Sequence, residues 1–86
     1  MNLALIQLWE NFEDNSHQSD GCSLHIDLTH RDNFIKNETD TELPVGLPSE
    51  VHLSDSLWNI LQNQGSIRLS EIEMNNLIGL TDITSL

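Results

Sequence analysis

The sequence predicts a single small α+β domain over residues 1–86. Alternating apolar and polar residues from Cys22 to Thr29 are typical of a half-buried strand. Three segments each begin with Ser or Thr followed within three residues by an acid, which is typical of helix starts. A chain of 86 residues without internal repeats is long enough for one modest core.

An N-terminal antiparallel strand pair is expected at about residues 3–9 and 22–28. The apolar residues of the first segment also fall at helical spacing, so a helix is the alternative there. We favour a strand because the alternating second segment needs a partner. An acidic loop of eleven or twelve residues, closed by Asp20 and Gly21, would join the two strands. The alternation would direct Cys22, Leu24, Ile26 and Leu28 inward and Ser23, His25 and Asp27 outward.

Three short helices are expected, at about residues 30–38, 55–64 and 71–80. Thr29 would cap the first helix, with Asp32 in its first turn. Phe34 and Ile35 are the only apolar residues that could hold this helix on the sheet. We therefore expect an exposed helix fixed by two side chains.

The second and third helices have clearer boundaries. Ser54 would cap the second helix and Gly65 would end it. Ser70 and Glu73 have the spacing of a capping box for the third helix. The second helix would bury Leu57, Trp58, Ile60 and Leu61, and the third would bury Ile72, Leu77, Ile78 and Leu80.

The remaining segments predict loops and short strands. Residues 39–48 are interpreted as a loop because Pro44, Gly46 and Pro48 disfavour regular structure. Residues 51–53 suggest a brief edge strand, and the alternation of Ile67, Arg68 and Leu69 suggests another.

The charge balance restricts the partners of this chain. Fourteen Asp and Glu residues stand against three Lys and Arg, a net charge of −11. Phosphate backbones and anionic membranes are bound by basic residues, so we expect this chain to bind neither nucleic acid nor membranes directly. A charged partner should be basic. Ten of the acids lie in residues 1–50, and eight of these ten fall in two stretches without a base, Glu10–Asp20 and Glu38–Glu50.

Both acidic stretches are interpreted as loops, and they permit two readings. They could be a solvated surface that maintains solubility, or they could form a recognition surface.

The apolar run from Leu3 to Trp9 is too short to span a membrane, and no secretory signal is evident. One cysteine, Cys22, cannot form an internal disulfide. We therefore expect a cytoplasmic protein.

Candidate chemistry centres on Cys22, His25 and His30, which are residue types that bind zinc. Cys22 and His25 are separated by an odd number of positions, so they should point to opposite faces of the strand. This separation disfavours both a shared metal site and a pair of nucleophile and base. The acidic stretch 10–20 lacks the oxygen spacing of a calcium loop. We expect no metal, no cofactor and no catalytic residue.

Residues 57–72, with the sequence LWNILQNQGSIRLSEI, resemble the opening of winged-helix domains. In that family the next element is a recognition helix that brings basic residues to the DNA groove. Here residues 81–86 contain one acid and no base. The resemblance implies a packing scaffold without the DNA-reading part.

The leading functional hypothesis is a small, non-enzymatic binding protein that inhibits or masks a basic protein whose own ligand is nucleic acid. Its carboxylates would take the place of phosphates, and long-range attraction would speed association. By size and acidity it resembles nuclease immunity proteins, anti-restriction and anti-CRISPR proteins of phages, and glycosylase inhibitors. The predicted partner-binding residues are Glu10, Phe12, Glu13, Asp14, Asp20, Glu38, Asp40 and Glu42.

Two alternatives belong to other classes. The first is a non-catalytic structural or regulatory subunit that forms oligomers through an apolar patch on residues 57–80. The second is a small enzyme or metal protein that uses Cys22 and the histidines.

Overall fold

The fold is a mixed α+β arrangement built on one antiparallel sheet, as the sequence predicts. The computed structural model describes residues 2–11, 18–37, 42–79 and 83–85. The strands are β1 (Leu3–Asn11), β2 (Gln18–His25), β3 (Glu42–Leu53), β4 (Ser66–Leu69) and β5 (Ile83–Ser85), in the sheet order β4-β2-β1-β3-β5. The helices are α1 (Leu28–Asn37), α2 (Asp55–Gln64) and α3 (Glu71–Gly79). Residues 3–9 therefore belong to a strand, and the helical alternative is wrong.

One face of the sheet packs on α2 and α3 and forms the apolar core. Strand residues supply most of it, Leu61 comes from α2 and Met74 from α3. Burying each large apolar side chain contributes about 1.5–3 kcal/mol, so this layer is the main source of stability. The strand residues in the core are Ala4, Cys22, Leu24, Val51, Leu53 and Leu69.

The opposite face of the sheet lies under α1. Phe34 of α1 places its ring 6.0 Å from the Trp9 ring and 5.2 Å from the His25 ring, both in edge-to-face geometry. Trp9 and His25 alternate along their strands with residues of the apolar core, so they point away from it. The sheet thus has an apolar layer on one side and a layer of polar and aromatic side chains on the other.

The boundaries of α2 and the start of α3 follow the predicted capping residues. α2 spans 55–64 as expected, Ser54 Oγ accepts from the Leu57 N–H at 3.3 Å, and the Gly65 N–H donates to the Leu61 carbonyl. The capping box of α3 is confirmed, because the Ser70 N–H donates to Glu73 Oε1 and the Glu73 N–H donates to Ser70 Oγ. Within the described ranges, no helix has the length and apolarity needed to cross a membrane.

The boundary between β2 and α1 differs from the predicted one. β2 covers 18–25 rather than 22–28, and α1 starts at Leu28 rather than residue 30. Asp27, not Thr29, caps the helix, since its carboxylate accepts from the His30 N–H at 2.9 Å. This hydrogen bond holds the pKa of Asp27 below its usual range. Leu28 consequently lies on the helix and is 56% exposed, so its predicted inward position is wrong.

The predicted outward positions of Ser23 and His25 are also wrong. Both side chains are completely buried. The alternation of β2 correctly separates them from Cys22 and Leu24, but α1 covers the face to which they point. A strand covered on both faces can still alternate in polarity when one covering layer contains polar partners.

The predicted loop at 39–48 is wrong wherever the structure describes it. β3 begins at Glu42 and continues to Leu53, so residues 51–53 are the end of a long strand that pairs with both β1 and β5. Pro44 and Pro48 are tolerated because, among the residues that the structure describes, 42–50 pair with β1 alone. The register between β1 and β3 shifts between Ile6, which pairs with Ser49, and Leu8, which pairs with Val45. This shift accommodates the extra residues of β3 between Val45 and Ser49.

The predicted apolar stripe of α3 is only partly testable. Ile72 is 73% exposed, so its predicted burial is wrong, and Met74 is buried instead. The side chains of Leu77, Ile78 and Leu80 lie outside the described residues. Residue 38, the predicted end of α1, and residue 80, the predicted end of α3, lie outside them as well.

Candidate functional site

Five acidic residues of the described ranges gather at one end of the sheet. In an antiparallel sheet the end of one strand lies beside the start of its neighbour. The first turn of α3 lies at the same end of the sheet, because α3 starts directly after β4. The five residues are Glu10 near the end of β1, Asp20 near the start of β2, Glu42 at the start of β3, and Glu71 and Glu73 in the first turn of α3.

Three of these acids line a cavity of about 300 Å³, which we call the acidic cavity. Its lining residues are Asp20, Glu42, Arg68, Ser70 and Glu73. Three carboxylates against one guanidinium leave the cavity with a net charge of −2 when all are ionised. This cavity therefore attracts cations and repels phosphates.

Arg68 holds the acidic cavity together from β4. Its Nη1 donates to Glu42 Oε2 at 2.7 Å, and its Nη2 donates to the Asp20 carbonyl at 2.6 Å and lies 3.4 Å from Asp20 Oδ2. The guanidinium carbon lies 5.0 Å from the centre of the Trp9 ring. The ring and the carboxylates fix the guanidinium in one orientation. β2 and β3 are thereby joined through a side chain of β4.

The two carboxylates that share Arg68 compete for it. Burial raises the pKa of Glu42, and the neighbouring Asp20 carboxylate raises it further, whereas Arg68 lowers it. The net effect is a Glu42 pKa above its usual range. A second cation in the cavity would relieve this repulsion and favour the ionised form of Glu42. The arrangement is thus electrostatically suited to accept a positive group.

Contacts between β2 and the start of α3 place Glu73 at the cavity. Glu71 Oε2 accepts from Ser19 Oγ at 2.7 Å and from the Gly21 N–H at 3.1 Å. The capping box then orients Glu73 and lowers the pKa of its carboxyl through the hydrogen bonds from Ser70. Glu73 is therefore ionised at neutral pH.

A buried hydrogen-bonded chain lies under α1. Trp9 Nε1 donates to Ser23 Oγ at 2.8 Å, Ser23 Oγ lies 2.7 Å from His25 Nε2, and His25 Nδ1 lies 2.8 Å from Ser66 Oγ. Ser66 Oγ donates to the His30 carbonyl, so it accepts from His25 Nδ1–H. Ser23 then donates to His25 Nε2. Each polar side-chain atom in this series of hydrogen bonds has a partner when the imidazole of His25 is neutral.

Burial lowers the pKa of His25 to about 4, and the neighbouring Arg31 and His30 lower it further. The Ser23–His25 pair has the spacing of a nucleophile and its base. Both residues are completely buried and Ser23 also accepts from Trp9, so a substrate has no access to the hydroxyl in this conformation. The pair stabilises the layer between sheet and helix.

Gln7 connects α1 to the irregular part of β3. Its Nε2 donates to the carbonyls of Val45 and Gly46 at 3.1 and 3.2 Å, and its Oε1 accepts from Nε and Nη2 of Arg31. Gln7 is completely buried. These bonds hold the first half of β3, which begins with Glu42, against β1.

The residues considered for metal or thiol chemistry do not come together. Cys22 lies in the apolar core, and burial raises the pKa of its thiol to about 11. His25 points to the other face, and His30 is exposed beside Asp27. In the part of the chain that the structure describes, no group of three or more His, Cys, Asp or Glu side chains could hold a metal ion.

Replacing Phe34 with alanine should lower the free energy of unfolding by about 2 kcal/mol, because Phe34 contacts both Trp9 and His25. Denaturant unfolding followed by tryptophan fluorescence measures the change. Asn33→Ala on the same helix is the control, since Asn33 is exposed. Equal losses in the two variants would show that the Phe34 ring does not hold α1.

The predicted partner-binding residues are only partly described. Asp20 and Glu42 meet in the acidic cavity, and Glu10 lies in β1 between Ser19 and Leu43. Glu10 and Asp20 lie in strands, as do Glu42 and Glu50, so the interpretation of both acidic stretches as loops is wrong at these positions. Phe12, Glu13, Asp14, Glu38 and Asp40 lie outside the described residues.

The sequence prediction missed Arg68, Ser70 and Glu73 as residues of the cavity. The capping spacing of Ser70 and Glu73 was visible in the sequence, but their position beside Asp20 depends on the pairing of β4 with β2. Arg68 is the only Lys or Arg in residues 51–86 and is flanked by two apolar residues of a predicted strand, but this signal does not place it beside Asp20.

The segment that resembles the opening of winged-helix domains, residues 57–72, forms most of α2, then β4 and the start of α3. β4 pairs in antiparallel orientation with β2 at the edge of the sheet, where it contributes Arg68 to the acidic cavity. Comparison with known proteins finds no family model, no curated protein and no solved structure that matches this chain.

Proposed function

We propose that this chain is a small acidic binding protein that inhibits or masks a basic, nucleic-acid-binding protein by presenting carboxylates in place of phosphates. The observation that carries the proposal is the acidic cavity, where Asp20 and Glu42 pair with Arg68 and Glu73 adds a third carboxylate to the lining. The three carboxylates that line the cavity are held by two strands, β2 and β3, and by the capped first turn of α3. A fixed array of carboxylates costs little ordering entropy on binding.

The charge of the whole chain and the charge of the cavity would have separate roles. A net charge of −11 attracts a basic partner over long distances and can raise the association rate by about 10–10³-fold at low salt. The cavity would then accept one Lys or Arg side chain beside Arg68. Occupation by that cation would occlude the part of the partner that normally contacts phosphate.

The test compares two variants of equal charge as baits in the native host's extract. The cavity variant is Asp20→Asn, Glu42→Gln and Glu73→Gln, which changes the net charge from −11 to −11 + 3 = −8. The control variant is Asp32→Asn, Glu50→Gln and Asp55→Asn, also −8, at exposed positions outside the cavity. The wild type and the control should retain a nucleic-acid-binding protein with about tenfold or greater preference over the cavity variant.

Inhibition is measured directly on the retained protein, by release of its labelled nucleic acid when this chain is added. A cavity variant that binds and releases as well as the control would contradict the proposal. Glu73→Gln alone provides a second variant that leaves both ion pairs of Arg68 in place, and glutamine can still complete the capping box. Its affinity should lie between those of the wild type and the triple variant.

A further inference from the structure

An apolar groove adjoins the acidic cavity. It has a volume of about 370 Å³ and lies between α2, β4 and α3. The residues that line this apolar groove are Leu57, Ile60, Ile67, Leu69, Glu73 and Asn76. Ile60 at its rim is 47% exposed, so the groove is accessible from solvent. Its lining gives an apolar side chain a place to be buried, with one carboxylate at the side.

Glu73 lines both the apolar groove and the acidic cavity, so the two depressions share one wall. The arrangement follows from β4 at the edge of the sheet. Successive residues of a strand point to opposite faces, so Ile67 and Leu69 face the groove while Arg68 faces the cavity. The first turn of α3 passes from one to the other and carries Glu73.

We propose that this composite surface binds a partner segment that places an apolar side chain in the groove and a neighbouring Lys or Arg side chain in the acidic cavity. The inference rests on the proposed function and names the feature of the basic partner that is recognised. Burial of the apolar side chain would supply affinity, and the carboxylates would set orientation and association rate.

Charge complementarity identifies the occupant. An apolar segment without a cation would fill the groove but leave the −2 charge of the cavity unmatched. A second copy of this chain would bring two such cavities and two net charges of −11 together. A basic and apolar segment satisfies both depressions, so it is favoured over a homodimer.

The experiment uses two small probes on the full chain, phenethylammonium and its neutral analogue phenethyl alcohol. Both have one aromatic ring, and only the first has a cation. Amide chemical shifts should move at Ile60, Leu69 and Ser70 with either probe, and the ammonium should bind about fivefold more tightly. Glu73→Gln should reduce that preference, whereas the control Glu50→Gln should retain it.

Substitution of Ile60 by asparagine tests the apolar component, because this half-exposed residue can be changed without opening the core. It should weaken both probes by about the same factor and leave the preference for the ammonium intact. Equal affinity of the two probes for the wild type, or shifts confined to other surfaces, would overturn the proposal. A dimer in sedimentation equilibrium that excludes both probes would overturn it too.

A hexa-arginine peptide separates failure of this inference from failure of the proposed function. If the cavity variant binds this peptide more weakly than the control variant while the two phenethyl probes bind the wild type equally, the acidic site stands and the groove proposal is overturned. If the cavity and control variants bind hexa-arginine equally, the proposed function fails, and the composite site fails with it.

Discussion

Replacing Gly21 with alanine is expected to lower the free energy of unfolding by about 4 kcal/mol. Gly21 lies in β2 with φ of 85°, a conformation that L side chains rarely adopt. An added Cβ would also overlap the Leu69 carbonyl oxygen and lie 2.7 Å from the Ser70 carbonyl carbon and 2.9 Å from the Glu71 nitrogen. These are backbone atoms, so no side-chain rotation can relieve the overlap.

Gly46→Ala is the matched control for this prediction. Gly46 also has a positive φ, 68°, but no atom lies within 4 Å of the position that its Cβ would occupy. Its cost should therefore be the conformational one alone, about 1 kcal/mol. Denaturant unfolding of both variants gives the two values, and their difference measures the close approach of β2 to the β4–α3 junction. Similar values for the two variants would contradict the predicted close packing.

Gly21→Ala also has a functional consequence. The β4–α3 junction that the new methyl group would displace contains Ser70 and leads to Glu73. Partner binding should therefore decrease even at temperatures where the variant remains folded. Gly46→Ala should leave binding unchanged, because Gly46 lines neither the acidic cavity nor the apolar groove.

Local signals in the sequence were sufficient for the caps of α2 and α3 and for the alternation of β2 between two faces. Ser54, Gly65, Ser70 and Glu73 act within four residues of their partners, so their hydrogen bonds could be predicted without knowledge of the fold. The odd spacing of Cys22 and His25 likewise placed them on opposite faces of one strand.

Features that depend on contacts distant in sequence could not be predicted in this way. Pro44, Gly46 and Pro48 have the composition of a loop, yet they lie in β3 because Gln7 supplies donors to the irregular backbone from the neighbouring strand. His25 has the polarity of a surface residue, but its partner Ser66 is 41 residues away. Tertiary contacts overrode local preference at both places.

The acidic cavity depends both on features that the local sequence predicts and on contacts between residues distant in sequence. An excess of carboxylates near Asp20 and Glu42 was evident from composition, and these two residues do meet. The cavity closes only because β4 pairs with β2 and brings Arg68 between them. Strand order is not encoded in local periodicity, so Arg68 and Glu73 could not be assigned to the site from the sequence.

Acidification should destabilise the protein through His25 before most carboxylates titrate. The pKa of this imidazole is about 4 in the folded state and 6.5 when it is unperturbed. A base whose pKa is lowered by folding stabilises the fold fully above the unperturbed value, and the contribution is lost as the pH falls from 6.5 towards 4. Between about pH 7.5 and pH 5 the free energy of unfolding should fall by about 2 kcal/mol from this residue.

The hydrogen-bond chain gives the structural reason for the loss. A protonated imidazole would donate from both nitrogens, so Ser23 Oγ would receive donors from Trp9 and His25 while its own proton lost its acceptor. The buried cation would also face Arg31 and His30 of α1. We therefore expect α1 to be the first element to detach at low pH, which hydrogen exchange at its amides would detect.

His25→Gln should remove the His25 contribution to the pH dependence, and His52→Gln should preserve it as the control. Comparison with the wild type also cancels the contribution of Glu42, which has the opposite sign because its folded pKa is raised. Should His25→Gln fail to fold, the imidazole resonances of the wild type provide a second measurement. A His25 signal that titrates above about pH 6 would contradict the burial on which this prediction depends.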